Sequence, residues 1–131
     1  MEKKLSQSLE DYLEIIYNKI KENKKVKAVD ISRQLNVSRA SVTEALNKLA
    51  EKGYINYEKY GDILINELGI KKAKEIVSRH NELSLFLKNL GVGANEAEET
   101  ACKIEHIISD NIQKRIKAFN NFCKQNPNIK F

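Results

Sequence analysis

The chain contains little that would interrupt a helix. Pro127 is the only proline among 131 residues, so no helix is barred before the last few positions. Glycine is also scarce: Gly53, Gly61, Gly69, Gly91 and Gly93 are the only five, and they mark the natural breaks. No stretch approaches the roughly 20 consecutive apolar residues that a bilayer crossing needs. The opening MEKKLSQSLEDYLEIIY turns acidic and amphipathic instead of running into an apolar segment with a cleavage site, which points to a cytoplasmic protein. Cysteine is limited to Cys102 and Cys123. They could pair, but with no sign of secretion reduced thiols are expected.

What is present is a 41% hydrophobic content, enough for a core, and 31% charged residues, enough for a well-solvated surface. The length suits one ordinary domain or two small ones. The net charge of +5 favours an anionic partner, although 18 acidic residues are interspersed with 23 basic ones.

Apolar residues at Leu5, Leu9, Tyr12, Leu13, Ile16, Tyr17 and Ile20 recur at helical spacing and predict an amphipathic helix ending near Lys21. Residues 26–35 form a second helical pattern, with Val29, Ile31 and Leu35 inward. A turn follows at Asn36-Val37, and Ser38 is placed as the N-cap of a third helix. This is the outline of a helix-turn-helix. After Gly53, the β-prone runs 54–58 and 62–66 flank Lys59-Tyr60-Gly61, which reads as a hairpin, or wing, with a basic and aromatic tip. A long helix is expected over 69–90, another capped by Asn95 and running through Cys102 and His106, and a last one over 110–123 before an irregular tail.

In such a unit the first turns of the second helix of the motif read base edges, while neighbouring basic and hydroxyl groups hold phosphates. Here those turns carry Ser38, Arg39, Ala40, Ser41, Thr43 and Glu44. Ala40 suits a thymine methyl, Arg39 a guanine or a phosphate, and Glu44 a cytosine amino group. Arg33, Lys48, Lys59 and Tyr60 are the candidate phosphate contacts. Taken singly, each also fits plain surface solvation. The constellation points to double-stranded DNA.

The second chemical signal is Cys102-Lys-Ile-Glu105-His106, a thiol, a carboxylate and an imidazole at i, i+3 and i+4, which share one face if the segment is helical. These side chains bind first-row transition metals. Asp11 and Glu14, three apart on the first helix, and His80, within the long helix, are further candidates. A buried carboxylate there would need a cation or hydrogen bonds. Alternatives stay open for each: capping or surface charge for the two acids, a core or surface imidazole for His80.

These segments resemble the metal-dependent repressors of the DtxR/MntR type. The resemblance rests on Leu9-Glu-Asp-Tyr-Leu-Glu14-Ile-Ile-Tyr17, Val37-Ser-Arg-Ala-Ser-Val-Thr43, Tyr57-Glu-Lys-Tyr-Gly61, Arg79-His80 and Ala101-Cys-Lys-Ile-Glu-His106, in that order, and covers the chain to about residue 123. It implies a homodimer whose winged helices bind a pseudo-palindromic operator when divalent iron or manganese is present. It further implies Asp11 and Glu14 as the N-terminal ligands of manganese-type members, and His80, Glu105 and His106 as ligands in both branches. Cys102 matches the iron-type cysteine. Ser84 and Glu98 depart from the iron-type pattern, leaving Glu98 as a candidate for an additional metal position with His80. The chain looks like the short two-domain form, without the SH3-like domain of longer relatives.

The expected architecture is therefore mainly α: an N-terminal winged helix-turn-helix over 1–70, followed by an all-helical metal-binding and dimerisation domain over 71–131. Ile104, Ile107, Ile108, Ile112, Ile116 and Phe119 exceed what one small helical layer can bury and are candidates for the dimer interface. The expected function is metal-dependent transcriptional regulation, as a repressor of metal-uptake genes. Ferrous iron is favoured narrowly over manganese because the softer Cys102 joins the oxygen ligands. The alternatives are a winged-helix regulator that ignores metal or responds to thiol redox state, and a small metalloenzyme or metal carrier. Against the enzyme, no further His, Asp or Glu is placed as a general base.

Overall fold

The computed structural model describes residues 5–58 and 61–131, which form two compact units divided between Glu75 and Ile76. No helix among the described residues is long and apolar enough to cross a membrane.

The first unit contains α1 (Gln7–Lys21), α2 (Ala28–Leu35), α3 (Arg39–Glu51), β1 (Ile55–Tyr57), β2 (Ile63–Ile65) and the start of α4 (Glu67–Asn89). Helix α1 starts two residues later than its apolar pattern, because the Ser6 hydroxyl accepts the Leu9 N–H at 3.2 Å and caps it. Its buried residues are Leu9, Glu10, Tyr12, Leu13 and Ile16. Val26 lies outside α2, in extended chain, where its carbonyl accepts the Ile63 N–H at 3.1 Å. Asn36 ends α2 with φ 54° and ψ 50°, a left-handed conformation that asparagine tolerates better than most residues. Ser38 then caps α3, its side chain accepting the Ser41 N–H at 3.1 Å as the sequence predicts.

Helix α3 packs on α1, α2 and β1, and its inward residues Val42, Leu46 and Leu49 are fully buried. Each such aliphatic side chain contributes roughly 1.5–3 kcal/mol on burial. The strands pair antiparallel with Ile55 opposite Ile65 and Tyr57 opposite Ile63. Alternation puts Ile55 and Ile63 into the core and leaves Leu64 exposed. Lys59 and Tyr60, expected at the tip of this wing, lie outside the described residues.

Gly69 does not begin α4 but sits inside its first turns. Asn66 caps the helix, with its Oδ1 accepting the Gly69 N–H at 3.0 Å and its carbonyl accepting the Ile70 N–H at 2.9 Å. The Asn66 N–H is in turn donated to the Tyr54 carbonyl at 3.2 Å, which ties the helix start to the wing. A Cβ at position 69 would collide with that Tyr54 carbonyl and meet Ile65 Cγ1 at 2.7 Å. The glycine is required by close approach of backbone, not by a turn.

The second unit, Ile76–Phe131, holds the remainder of α4 with α5 (Ala94–Ile104) and α6 (Asp110–Gln125). Leu83, Ala101 and Ile116, one from each helix, form its core, with Phe86, Ile104 and Ile108 packed against them. Phe119 meets Phe86 edge to face at 5.5 Å and Phe131 at 5.1 Å. Three sequence expectations are corrected here. Gly93, not Asn95, is the N-cap of α5. Helix α5 ends at Ile104, so Glu105 is its C-cap and His106 lies in the following turn, because Ser109 soon opens α6 by accepting the Ile112 N–H. Ile104, Ile108 and Ile116 are used within the unit, whereas Ile107 at 75% and Ile112 at 47% remain exposed.

Gly69→Ala is expected to destabilise the chain by about 1–3 kcal/mol, since overpacking against a fixed carbonyl has no inexpensive relaxation. Urea unfolding monitored by circular dichroism measures this. An unchanged midpoint would show that the wing end gives way freely.

Candidate DNA-reading surface and metal centre

The start of α3 is open to solvent. Ser38, Arg39, Ala40, Ser41 and Glu44 are exposed and Thr43 is half-buried, while Val42, Ala45 and Leu46 turn inward. Arg33 is exposed in the last turn of α2. Lys48 is exposed but pairs with Glu44 at 3.2 Å, an i,i+4 contact of two solvated side chains. A concavity of about 400 Å³ is lined by Lys27, Ala28, Val29, Arg39, Ala40, Thr43, Tyr57 and Gly61. It joins the starts of both helices of the motif to the wing. Arg39, Ala40 and Thr43 are contacts expected from the sequence, whereas the polar members Lys27 and Tyr57 were not among them. Lys27 is the N-cap of α2, with extended backbone, no side-chain capping hydrogen bond and an exposed side chain.

In the second unit, His80, Cys102 and Glu105 bring one ligand atom each within 4.8 Å of one another. Helix α4 supplies the imidazole, α5 the thiol and its C-cap the carboxylate. Glu105 is only 1% exposed, and its Oε2 lies 2.8 Å from His80 Nδ1. Its Oε1 lies 3.4 Å from His106 Nε2, and its carbonyl accepts from Arg79 at 3.3 Å. Cys102 is exposed, and neither it nor Cys123 is in a disulfide. An oxygen, a nitrogen and a sulfur donor converging on one point suit a borderline divalent transition ion.

The other ring nitrogen of His80 faces Glu98, with Nε2 to Oε2 at 2.7 Å. Ser84 donates its hydroxyl to Glu98 Oε1 at 2.5 Å, and the Lys88 ammonium donates to the same oxygen at 3.2 Å. Those bonds from Ser84, His80 and Lys88 hold the Glu98 carboxyl down to about 2. Burial is the largest single influence on His80 and lowers its pKa. The hydrogen bonds and charges of Glu98 and Glu105 together outweigh it, so the imidazole stays protonated above its ordinary value.

The iron-dependent repressor N-terminal DNA-binding domain matches residues 4–63, and the iron-dependent repressor metal-binding and dimerisation domain matches residues 66–130. The chain belongs to the iron-dependent repressor family. It is 44% identical over 117 residues to an uncharacterized HTH-type transcriptional regulator of Methanocaldococcus jannaschii, covering 88% of this chain and 94% of that one. It is 35% identical over 122 residues to the HTH-type transcriptional regulator MntR of Lysinibacillus sphaericus, covering 93% and 88%. Its fold matches a manganese-dependent transcriptional repressor in complex with manganese, with a TM-score of 0.78 at 32% identity over 87% of this chain. The chain spans about half the length of the solved structures it matches first, 54% and 53%.

Within this repressor family the winged helix is thus paired with a metal-responsive partner, which sets aside a winged helix that responds to no metal. Of the sequence candidates, His80, Cys102, Glu105 and His106 come together in the second unit. Glu98 joins them through His80, not as a fourth member of the three-donor group. Asp11 and Glu14 are half-buried on α1 of the first unit. Lys88 was missed, although His80, Ser84 and Lys88 repeat every four residues and so share a helical face.

The stabilising contribution of protonated His80 is complete below the ordinary value of 6.5 and is lost as pH rises through the higher folded value. Glu98→Gln removes one of the two flanking charges and is expected to lower the His80 midpoint in a proton NMR titration of the ring. A midpoint equal to wild type would contradict the geometry around Nε2.

Proposed function

We propose that this chain is a metal-activated repressor of metal-uptake genes that binds a pseudo-palindromic operator as a homodimer. The observation that carries the reading is the convergence of His80, Cys102 and Glu105 in a chain whose other unit is an open-faced winged helix. Arg39, Ala40, Ser41, Thr43 and Glu44 are the base-reading candidates, with Ser38 as both cap and phosphate neighbour. Arg33, Lys48, Lys59 and Tyr60 remain the phosphate contacts expected from sequence, and Lys27 is added to them on the strength of its place in the concavity. In a dimer, two such helices would meet successive major grooves about 34 Å apart. The exposed Ile107 and Ile112 suit the interface between copies.

His80, Cys102, Glu105 and His106 would hold the ion, joined by Asp11 and Glu14 on the strength of the family correspondence alone. The ion would supply fixed positive charge for the buried Glu105 carboxylate and favour one arrangement of the chain over others. A tenfold gain in DNA affinity needs only about 1.4 kcal/mol of such coupling. Ferrous iron is placed narrowly ahead of manganese, because the exposed Cys102 thiol adds a softer donor to Glu105 and His80. The relatives named MntR and the manganese-bound repressor argue for manganese.

The test is selection of operator DNA from random sequence with Fe2+ or Mn2+, followed by binding of the winning duplex before and after chelation at fixed salt. Binding lost on chelation and restored by one ion is the expected result, with Cys102→Ala and His106→Ala losing the metal response but retaining the dimer. Operator binding that ignores chelator, or a response kept in both variants, would remove the proposal.

A further inference from the structure

The His80 ring is gripped from both sides. Nδ1 faces Glu105, a member of the three-donor cluster, and Nε2 faces Glu98, which is not. Glu98 has both oxygens engaged: Oε2 with His80, Oε1 with the Ser84 hydroxyl and the Lys88 ammonium. Ser84 is 2% exposed, so its hydroxyl is a donor fixed by packing. Lys88 brings to Glu98 the positive charge that a second metal ion would otherwise bring.

We propose that Glu98, fixed by Ser84 and Lys88, is a positioning residue for the metal centre and not one of its ligands. It keeps the proton of His80 on Nε2 and so turns the Nδ1 lone pair toward an ion shared with Cys102 and Glu105. A ligating histidine commonly donates its second ring N–H to a carboxylate, which fixes its tautomer and orientation and strengthens it as a donor. Here His80, Ser84 and Lys88 lie on one face of α4 and Glu98 reaches them from α5, so two helices lock one ring. The inference deepens the metal-centre reading above and rests on it.

Cobalt titration of the full chain tests it, following the ligand-field bands and the charge-transfer band of a thiolate bound to Co2+. Glu98→Ala is expected to weaken Co2+ binding about 10- to 100-fold while keeping the thiolate band and the same number of ions per chain. Glu98→Gln, whose amide oxygen still accepts from Nε2–H, should recover most of the affinity. Loss of an ion per chain in Glu98→Ala would make Glu98 a ligand and overturn the proposal, as would unchanged affinity. Should Glu98→Ala fail to fold, Lys88→Ala takes its place, with weaker binding at constant stoichiometry expected and unchanged affinity contradictory. A wild-type chain without any thiolate band would instead remove the metal centre itself, so the two failures are distinguishable.

Discussion

A carboxylate at 1% exposure has to be met by positive charge or by donors, and the second unit is arranged around that requirement at Glu105. His80 approaches one of its oxygens at 2.8 Å and His106 the other at 3.4 Å. A protonated His80 can supply the charge, and its pKa is raised against the pull of burial by its hydrogen bond to Glu98 together with the charge and hydrogen bond of Glu105. A bound divalent ion would supply it instead. Proton and metal would then compete for one place, and the acid that is costly to bury would give a cation reason to enter it.

Much of the fold was legible because local rules and tertiary packing agree. Ser38 reads as an N-cap and acts as one, and the alternation of residues 55–57 and 63–65 matches a hairpin with one buried face. Disagreement arose where a residue answers to something distant in sequence. Gly69 reads as a break, but its requirement comes from the Tyr54 carbonyl, which no local pattern reveals. Asn95 reads as a cap, yet the chain leaving Gly91 enters α5 directly after Gly93. Cys102, Glu105 and His106 stand out by residue type, but the expected single helix through all three does not form, since α5 stops at Ile104. Lys88 went unnoticed because a lysine on a helix usually reads as solvation; its role is defined only by Glu98 on another helix.

The two units divide labour in a way that simple thermodynamics constrains. If an ion favours the DNA-binding form by some factor, operator DNA must favour ion binding by the same factor. The exposed turns of α3 and the buried acid of the second unit are then two ends of one equilibrium, although their chemistry differs. On the candidate DNA-reading face small and polar side chains are exposed, while Val42, Leu46 and Leu49 of α3 fill the core. At the candidate metal centre the Glu105 carboxylate is drawn inward and met by the rings of His80 and His106.

On the proposed reading, Cys102 and Glu105 would bind one ion together with His80. X-ray absorption at the zinc edge of the Zn2+-loaded chain, in a Cys123→Ser background, tests it most directly. One sulfur neighbour at about 2.3 Å beside nitrogen and oxygen neighbours at about 2.0–2.2 Å is the expected shell. A shell of nitrogen and oxygen alone, with Cys102 intact, would contradict it.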